Sequence, residues 1–206
     1  MREVVELRRA TSGDARAIRE RTRGAYARWV PVIGREPKPM AADYAEAVRN
    51  HLIDLLCVGG ELAALIETIP EADHLLIENV AVSPGFQHRG HGRRLIAHAE
   101  GLAVSLGYRE ARLYTNRLFA ENVRLSLKLG YRVDREGAFK GRGVVAHMQM
   151  NGRPANVANL LAIRWWHTAA AVMLAPGASI HALQESKEGV DARDTHGHDD
   201  VGHSRR

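Results

Sequence analysis

A single cysteine, Cys57, is all that the 206 residues carry, which excludes an internal disulfide framework and any multi-cysteine zinc site. A chain built without disulfides fits a reducing interior, so a cytoplasmic setting is expected. Aromatic residues make up only 5%, and the arginines are spread along the chain. The stacking platforms and basic stripes of a nucleic-acid binder are therefore missing, and no nucleic-acid partner is expected. The opening MREVVELRRATSGD is charged and has no apolar stretch, so no secretory signal is expected. The most apolar segment, NGRPANVANLLAIRWWHTAAAVMLAPG, carries Arg164 and His167. A spanning helix needs about 20 apolar residues, so this interruption argues against a membrane partner. Neither a Gly-Lys-Ser/Thr phosphate loop nor a three-glycine dinucleotide fingerprint occurs.

What is present is the mixture of a soluble globular chain, 45% hydrophobic and 26% charged, enough for one core. The net charge of +5 is compatible with an anionic ligand. Val4–Arg9 alternates like a strand. Thr11 or Ser12 caps a following helix, with Asp14 in its first turn. Pro31–Met40 is dense in proline and reads as a loop; MAADYAEAVRNHL reads as a helix. DLLCV, a Gly-Gly turn and ELAALIETI form a hairpin, and HLLIENVAV, apolar almost throughout, is a central strand. Leu95, Ala99, Leu102 and Leu106 mark one face of a helix that stops at Gly107. ARLYT is a strand. Phe119, Val123 and Leu127 mark another helix, and YRVDRE and VVAHMQM close the order βααβββαβαββ near Met150. Residues 1–150 thus form one α/β (α+β) domain. Residues 151–206 are an extension, an added helix and then a polar tail. His196, His198 and His203 with Asp199 and Asp200 lie in that tail; a solvated tail is the favoured reading, and no metal is expected.

Gln87–Gly92, QHRGHG, stands between the apolar IENVAVSP and the helical GRRLIAHAEG. The first amides of a helix lack internal acceptors and sit at the positive end of its dipole, so they bind anions. Glycine at 90 and 92 lets a diphosphate approach them. Arg89, Arg93 and Arg94 add positive charge. The alternative is a glycine-rich turn into a surface helix.

Q-x-x-G-x-G directly after an apolar strand resembles the motif of the Gcn5-related N-acetyltransferase (GNAT) family. RRATSGD, ENVAVSP, YTN (Tyr114–Asn116), ENVRLSLKLGY and VAHMQM stand where that family has comparable segments. The resemblance covers about residues 4–150. It implies a mixed, mostly antiparallel sheet of six to seven strands flanked by about four helices, and an acetyl-coenzyme A-dependent N-acetyltransferase. It places Val80, Ala81 and Val82 along the pantetheine arm, with the Val80 amide toward the thioester oxygen. Gln87, His88, Arg89, Gly90, His91 and Gly92 would surround the diphosphate, and Asn122 would face the pantetheine. Tyr26, Trp29, Arg35, Glu36, Met40, Asp43 and Tyr44 would lie where an amine acceptor, small molecule or peptide, enters. Pairing of such domains is common in the family, so a homodimer is compatible with it.

Acyl transfer to an amine needs a proton acceptor, an oxyanion donor and a proton for the leaving thiolate. Glu78, a carboxylate in an apolar strand two residues before Val80, is the candidate base, acting through a water; Glu67 and His74 are poorer candidates. Ser126 stands where related chains carry a tyrosine acid. A serine is a far weaker acid, so a non-catalytic acyl-coenzyme A binder of the same fold is the alternative.

Overall fold

The computed structural model describes residues 3–138 and 144–151. The readings made for the segment from 152 to 206, including its added helix and its histidines, lie outside the described residues. The strands are β1 (Val5–Arg9), β2 (Leu52–Val58), β3 (Glu61–Pro70), β4 (Leu75–Val82), β5 (Glu110–Asn116), β6 (Arg132–Ala138) and β7 (Val144–Asn151). The helices are α1 (Ala15–Tyr26), α2 (Val30–Ile33), α3 (Tyr44–Asn50), α4 (His91–Ser105) and α5 (Ala120–Lys128). The strands form one sheet in the order β1-β2-β3-β4-β5-β7-β6. Every neighbouring pair is antiparallel except β4 and β5. This is the mixed, mostly antiparallel α/β architecture expected.

Local chemistry sets the boundaries. The Asp43 carboxylate accepts from the Ala45 and Glu46 amides at 2.9 and 3.3 Å and starts α3. The segment read as a proline loop holds a turn of helix, α2, and a 3-10 turn at Lys38–Ala41. Pro31 is tolerated because the first turn of a helix needs no amide hydrogen. Two apolar positions differ from the expected faces: Leu106 and Leu127 are 45% and 49% exposed. Leu106 caps α4 beyond its last turn, and α5 turns Phe119 and Ser126 inward instead.

Ile18 and Ala25 of α1 and Tyr44 and Ala47 of α3 pack with Ile53, Leu55, Leu65 and Ala81. Each fully buried aliphatic or aromatic side chain contributes about 1.5–3 kcal/mol. Leu75 and Ala111 pack with Ala103 of α4 in a second cluster. Leu75 and Ala81 are both odd-numbered on β4 and yet join different clusters. The register explains it: Glu67 faces Asn79 while the next residue, Thr68, faces Ile77. Glu78 is an extra residue, a β-bulge, and a slip of one residue exchanges the faces of a strand.

At the first strand–helix junction Asp14 accepts from both Arg8 guanidinium nitrogens at 2.7 and 2.9 Å and from the Thr11 amide and hydroxyl at 2.8 Å each. The hydrogen bond from Arg8 holds the Asp14 carboxyl well below the usual carboxylate range. Asp14→Ala is expected to cost about 1–3 kcal/mol at neutral pH. A depressed folded-state pKa means stability that is present in full above the unfolded value near 3.8 and lost as pH falls through the folded one. Denaturant unfolding of parent and variant should therefore show a gap that narrows below pH 3.8.

Candidate active site

The bulge at Glu78 also ends the pairing of the two parallel strands. β4 and β5 are matched only over Leu75–Ile77 and Ala111–Leu113, and from Glu78 onward they splay. The opening is a cleft of about 630 Å³, floored by the free edge of β4 and walled by α4, α5 and the α1–α2 region.

The edge groups can be identified. In a strand, the N–H and C=O of one residue point to the same side. The Val82 carbonyl accepts from the Gln87 side-chain amide at 3.0 Å, and the Tyr26 hydroxyl lies 3.5 Å from the Val80 carbonyl. Both carbonyls therefore face away from β3, and the Val80 N–H faces the cleft with them. Val80 and Val82 line the cleft. Ala81 does not, because its side chain is buried with α1 and α3.

The edge leads into the start of α4. His88 has φ 62° and Gly90 φ 83°. A left-handed residue other than glycine costs roughly 1–2 kcal/mol, and here it aims the helix start at the cleft. The first bond of α4 runs from the Arg94 amide to the Gly90 carbonyl, 3.0 Å, so the N–H groups of His91, Gly92 and Arg93 have no helical acceptor. A Cβ on Gly92 would meet Val82 Cγ2 at 3.7 Å and Leu125 Cδ2 at 3.8 Å, so this glycine sits where strand edge, α4 and α5 converge. Gln87, His88, Gly90, His91 and Gly92 line the cleft, while Arg89 lays its guanidinium over Phe86, 5.3 Å from the ring centre. Partial burial first, and the charges of Arg89 and Arg94 next, lower the His91 pKa below 6.5. An amide cradle at a helix start, continuous with an open strand edge, fits a long ligand that carries a diphosphate at the end of an extended arm.

The acceptor side is built on α1 and the segment before α3. Tyr26 and Trp29 line the cleft. Trp29 packs on Phe119 with ring centres 4.6 Å apart, and Arg28 meets Glu121 at 2.6 Å, so the α1–α2 region closes over the start of α5. Arg35 is in the lining, whereas Glu36 is engaged by Arg23 at 2.7 Å. Met40 and Tyr44 are buried beneath the cleft and support it without lining it. The Tyr44 hydroxyl donates to the Pro39 carbonyl at 2.9 Å and accepts from Asn79 at 3.2 Å; Asn79 in turn accepts from Tyr26 at 2.9 Å.

At the bulge, the Glu78 carboxylate accepts from Lys38 Nζ at 2.6 Å. The same ammonium lies 3.2 Å from the Tyr114 hydroxyl. Burial, and then a hydrogen bond with Glu78, push the Tyr114 phenol well above its ordinary range, so it keeps its proton. Lys38 and Tyr114 were missed by the sequence reading. The signals were a lysine between two prolines and a tyrosine at the end of a strand. Of the poorer base candidates, Glu67 is buried against His51 at 2.6 Å, and His74 pairs with Asp73 at the far end of β4. Ser126 and Asn122 line the cleft, but the Ser126 hydroxyl donates to the Asn122 carbonyl at 3.0 Å. Its proton is committed to the helix backbone. Among the described residues no cluster of side chains could hold a metal ion, and no helix is long and apolar enough to cross a membrane.

Residues 18–131 match the model of the acetyltransferase (GNAT) family. The chain belongs to that family. No curated protein matches its sequence. Among solved structures, the GNAT chain is similar to PaiA N-acetyltransferase from Thermoplasma acidophilum in complex with coenzyme A, at 18% identity and TM-score 0.61, over 72% of this chain and 99% of that one. It is similar to the ribosomal-protein-S18-alanine N-acetyltransferase of Escherichia coli at 20% identity and TM-score 0.59, over 74% and 99%. A GNAT family acetyltransferase from Elizabethkingia anophelis with acetyl-CoA bound matches at 15% identity and TM-score 0.56, over 72% and 98%. At these identities the likeness is one of fold.

Proposed function

We propose that this GNAT chain transfers an acetyl group from acetyl-coenzyme A to a primary amine by direct attack. The observation that carries the reading is the continuity of one cleft: an open β4 edge runs into the amide cradle of α4, with a carboxylate at the point where the strands part. Acetyl-coenzyme A would supply the activated acetyl group. The amides of His91, Gly92 and Arg93 would hold its diphosphate. The Val80 edge would pair with the pantetheine arm as an added strand, with Asn122 on the opposite wall. The Val80 N–H would donate to the thioester oxygen as charge develops there. Glu78 would take the proton of the attacking amine. The Ser126 proton is committed to Asn122 and the Tyr114 phenol holds its own, so the thiolate, whose parent thiol has a pKa of about 8.5, would leave without a dedicated side-chain acid and take its proton from solvent. The non-catalytic alternative is favoured only by Ser126.

Calorimetric titration with coenzyme A tests the cradle, and release of thiol from acetyl-coenzyme A in the presence of primary amines tests the transfer. Binding in the micromolar range is expected. Binding without turnover on any amine would favour the non-catalytic reading; no binding would leave QHRGHG a turn. The pH dependence follows from His91. A diphosphate beside it raises a pKa that the free protein holds below 6.5, so binding takes up a proton and affinity rises as pH falls. Titrations in buffers of different ionisation enthalpy count that proton.

A further inference from the structure

Of 29 basic residues only four are lysines: Lys38, Lys128, Lys140 and Lys187. The ion pairs among the described residues are built on arginine or histidine, with Lys38–Glu78 the exception. Arginine cannot lose its proton and attack a carbonyl; lysine can. The segment that carries Lys38 is fixed. Pro37 and Pro39 flank it, the Met40 carbonyl accepts from Arg23 at 3.1 Å, and the Pro39 carbonyl accepts from Tyr44 at 2.9 Å. Its ammonium is presented to the Glu78 carboxylate at 2.6 Å and the Tyr114 hydroxyl at 3.2 Å, and lies 5.7 Å from the centre of the Tyr114 ring. A carboxylate, a phenol oxygen and an aromatic face are what a site for a primary ammonium offers. The chain's own lysine occupies it.

We infer that Lys38 is an acetylation site of this protein, modified in cis by its own active centre. The inference rests on the acetyl-transfer reading. Glu78 accepts a proton from the Lys38 ammonium. The neutral amine attacks the acetyl carbonyl carbon, an N–C bond forms, the C–S bond breaks, and the thiolate leaves to be protonated. The products are Nε-acetyl-Lys38, coenzyme A and the proton released from the ammonium. Lys38, Glu78 and Val80 line the same cleft, and the two residues of strand from Glu78 to Val80 span at most about 7 Å, within the reach of a lysine side chain. The reaction is self-limiting. The acetamide carries no charge, so it no longer competes for Glu78, and an external ammonium can pair there.

The full chain incubated with acetyl-coenzyme A and no added amine is expected to release a single burst of thiol and to gain a single acetyl group. Peptide mapping should place it on Lys38, and the rate per chain should not change on dilution. Lys38→Arg keeps the charge and, if it melts with the parent, should abolish the burst; Glu78→Gln should slow it by about a hundredfold or more. Equal labelling of Lys128, or a rate that falls on dilution, overturns the inference. A parallel titration with coenzyme A, which has no acetyl group to give, separates two failures. A chain that binds coenzyme A but leaves Lys38 unmodified overturns this inference alone. A chain that does not bind overturns the transfer reading beneath it.

Discussion

Glu78→Gln is expected to lower kcat for an added amine by about 10²–10⁴-fold, the range for loss of a general base. The substitution is nearly isosteric and keeps a side chain at the bulge that can still accept from Lys38 Nζ, now without the ion pair of 2.6 Å. What it removes is the ability to take a proton. Coenzyme A titration and KM for acetyl-coenzyme A separate this from a folding defect, because Glu78 stands at the parting of the strands and the amide cradle begins at α4, beyond Val82. A fall in kcat with cofactor affinity kept supports the assignment. An unchanged kcat with a saturating amine removes Glu78 as the base and leaves water or Glu67 to carry the proton.

Gly92→Val is expected to weaken coenzyme A binding by roughly 10²–10⁴-fold while the chain stays folded. Two charge-assisted hydrogen bonds of about 1.5–3 kcal/mol each are at stake, and each 1.4 kcal/mol is about a factor of ten. The protein itself has room at this position, since a Cβ would meet Val82 and Leu125 no closer than 3.7 Å. The two methyl groups of valine reach beyond that Cβ and crowd the point where the β4 edge, α4 and α5 converge, the approach to the free amides. Valine is no worse than glycine for the helix itself, so the melting temperature should hardly move. Gly90 gives the contrast. Its φ of 83° is left-handed and nothing stands within 4 Å of an added Cβ, so Gly90→Ala should act on backbone strain and stability. Calorimetry and thermal melting of the two variants distinguish the roles. Full affinity in Gly92→Val would remove the cradle.

Much of this was legible in the sequence because it rests on periodicity and on glycine. The alternation of β1, the Gly-Gly turn between β2 and β3, the apolar run of β4, the helical phase of α4 and the glycines at 90 and 92 located the sheet and the strand–helix junction. Other features depend on contacts distant in sequence. The bulge leaves no mark in LLIENVAV, whose burial alternates without a break; only the partner strand shows that Glu78 is extra. Met40 and Tyr44 look like acceptor-site residues until the packing of α1 and α3 buries them. Lys38 meets Glu78 across 40 residues of chain, and no local pattern announces that pair.

The three matched positions that join β4 to β5 carry a mechanical consequence. The sheet is two blocks, β1–β4 and β5–β7, stitched along a short parallel seam that opens toward the cleft. A ligand lying along the Val80 edge acts as a splint. It lends hydrogen bonds to one block and touches the walls carried by the other. Amide hydrogen exchange should feel this first along the outer edge of β4, and occupancy should be read as cooperativity, two blocks melting as one.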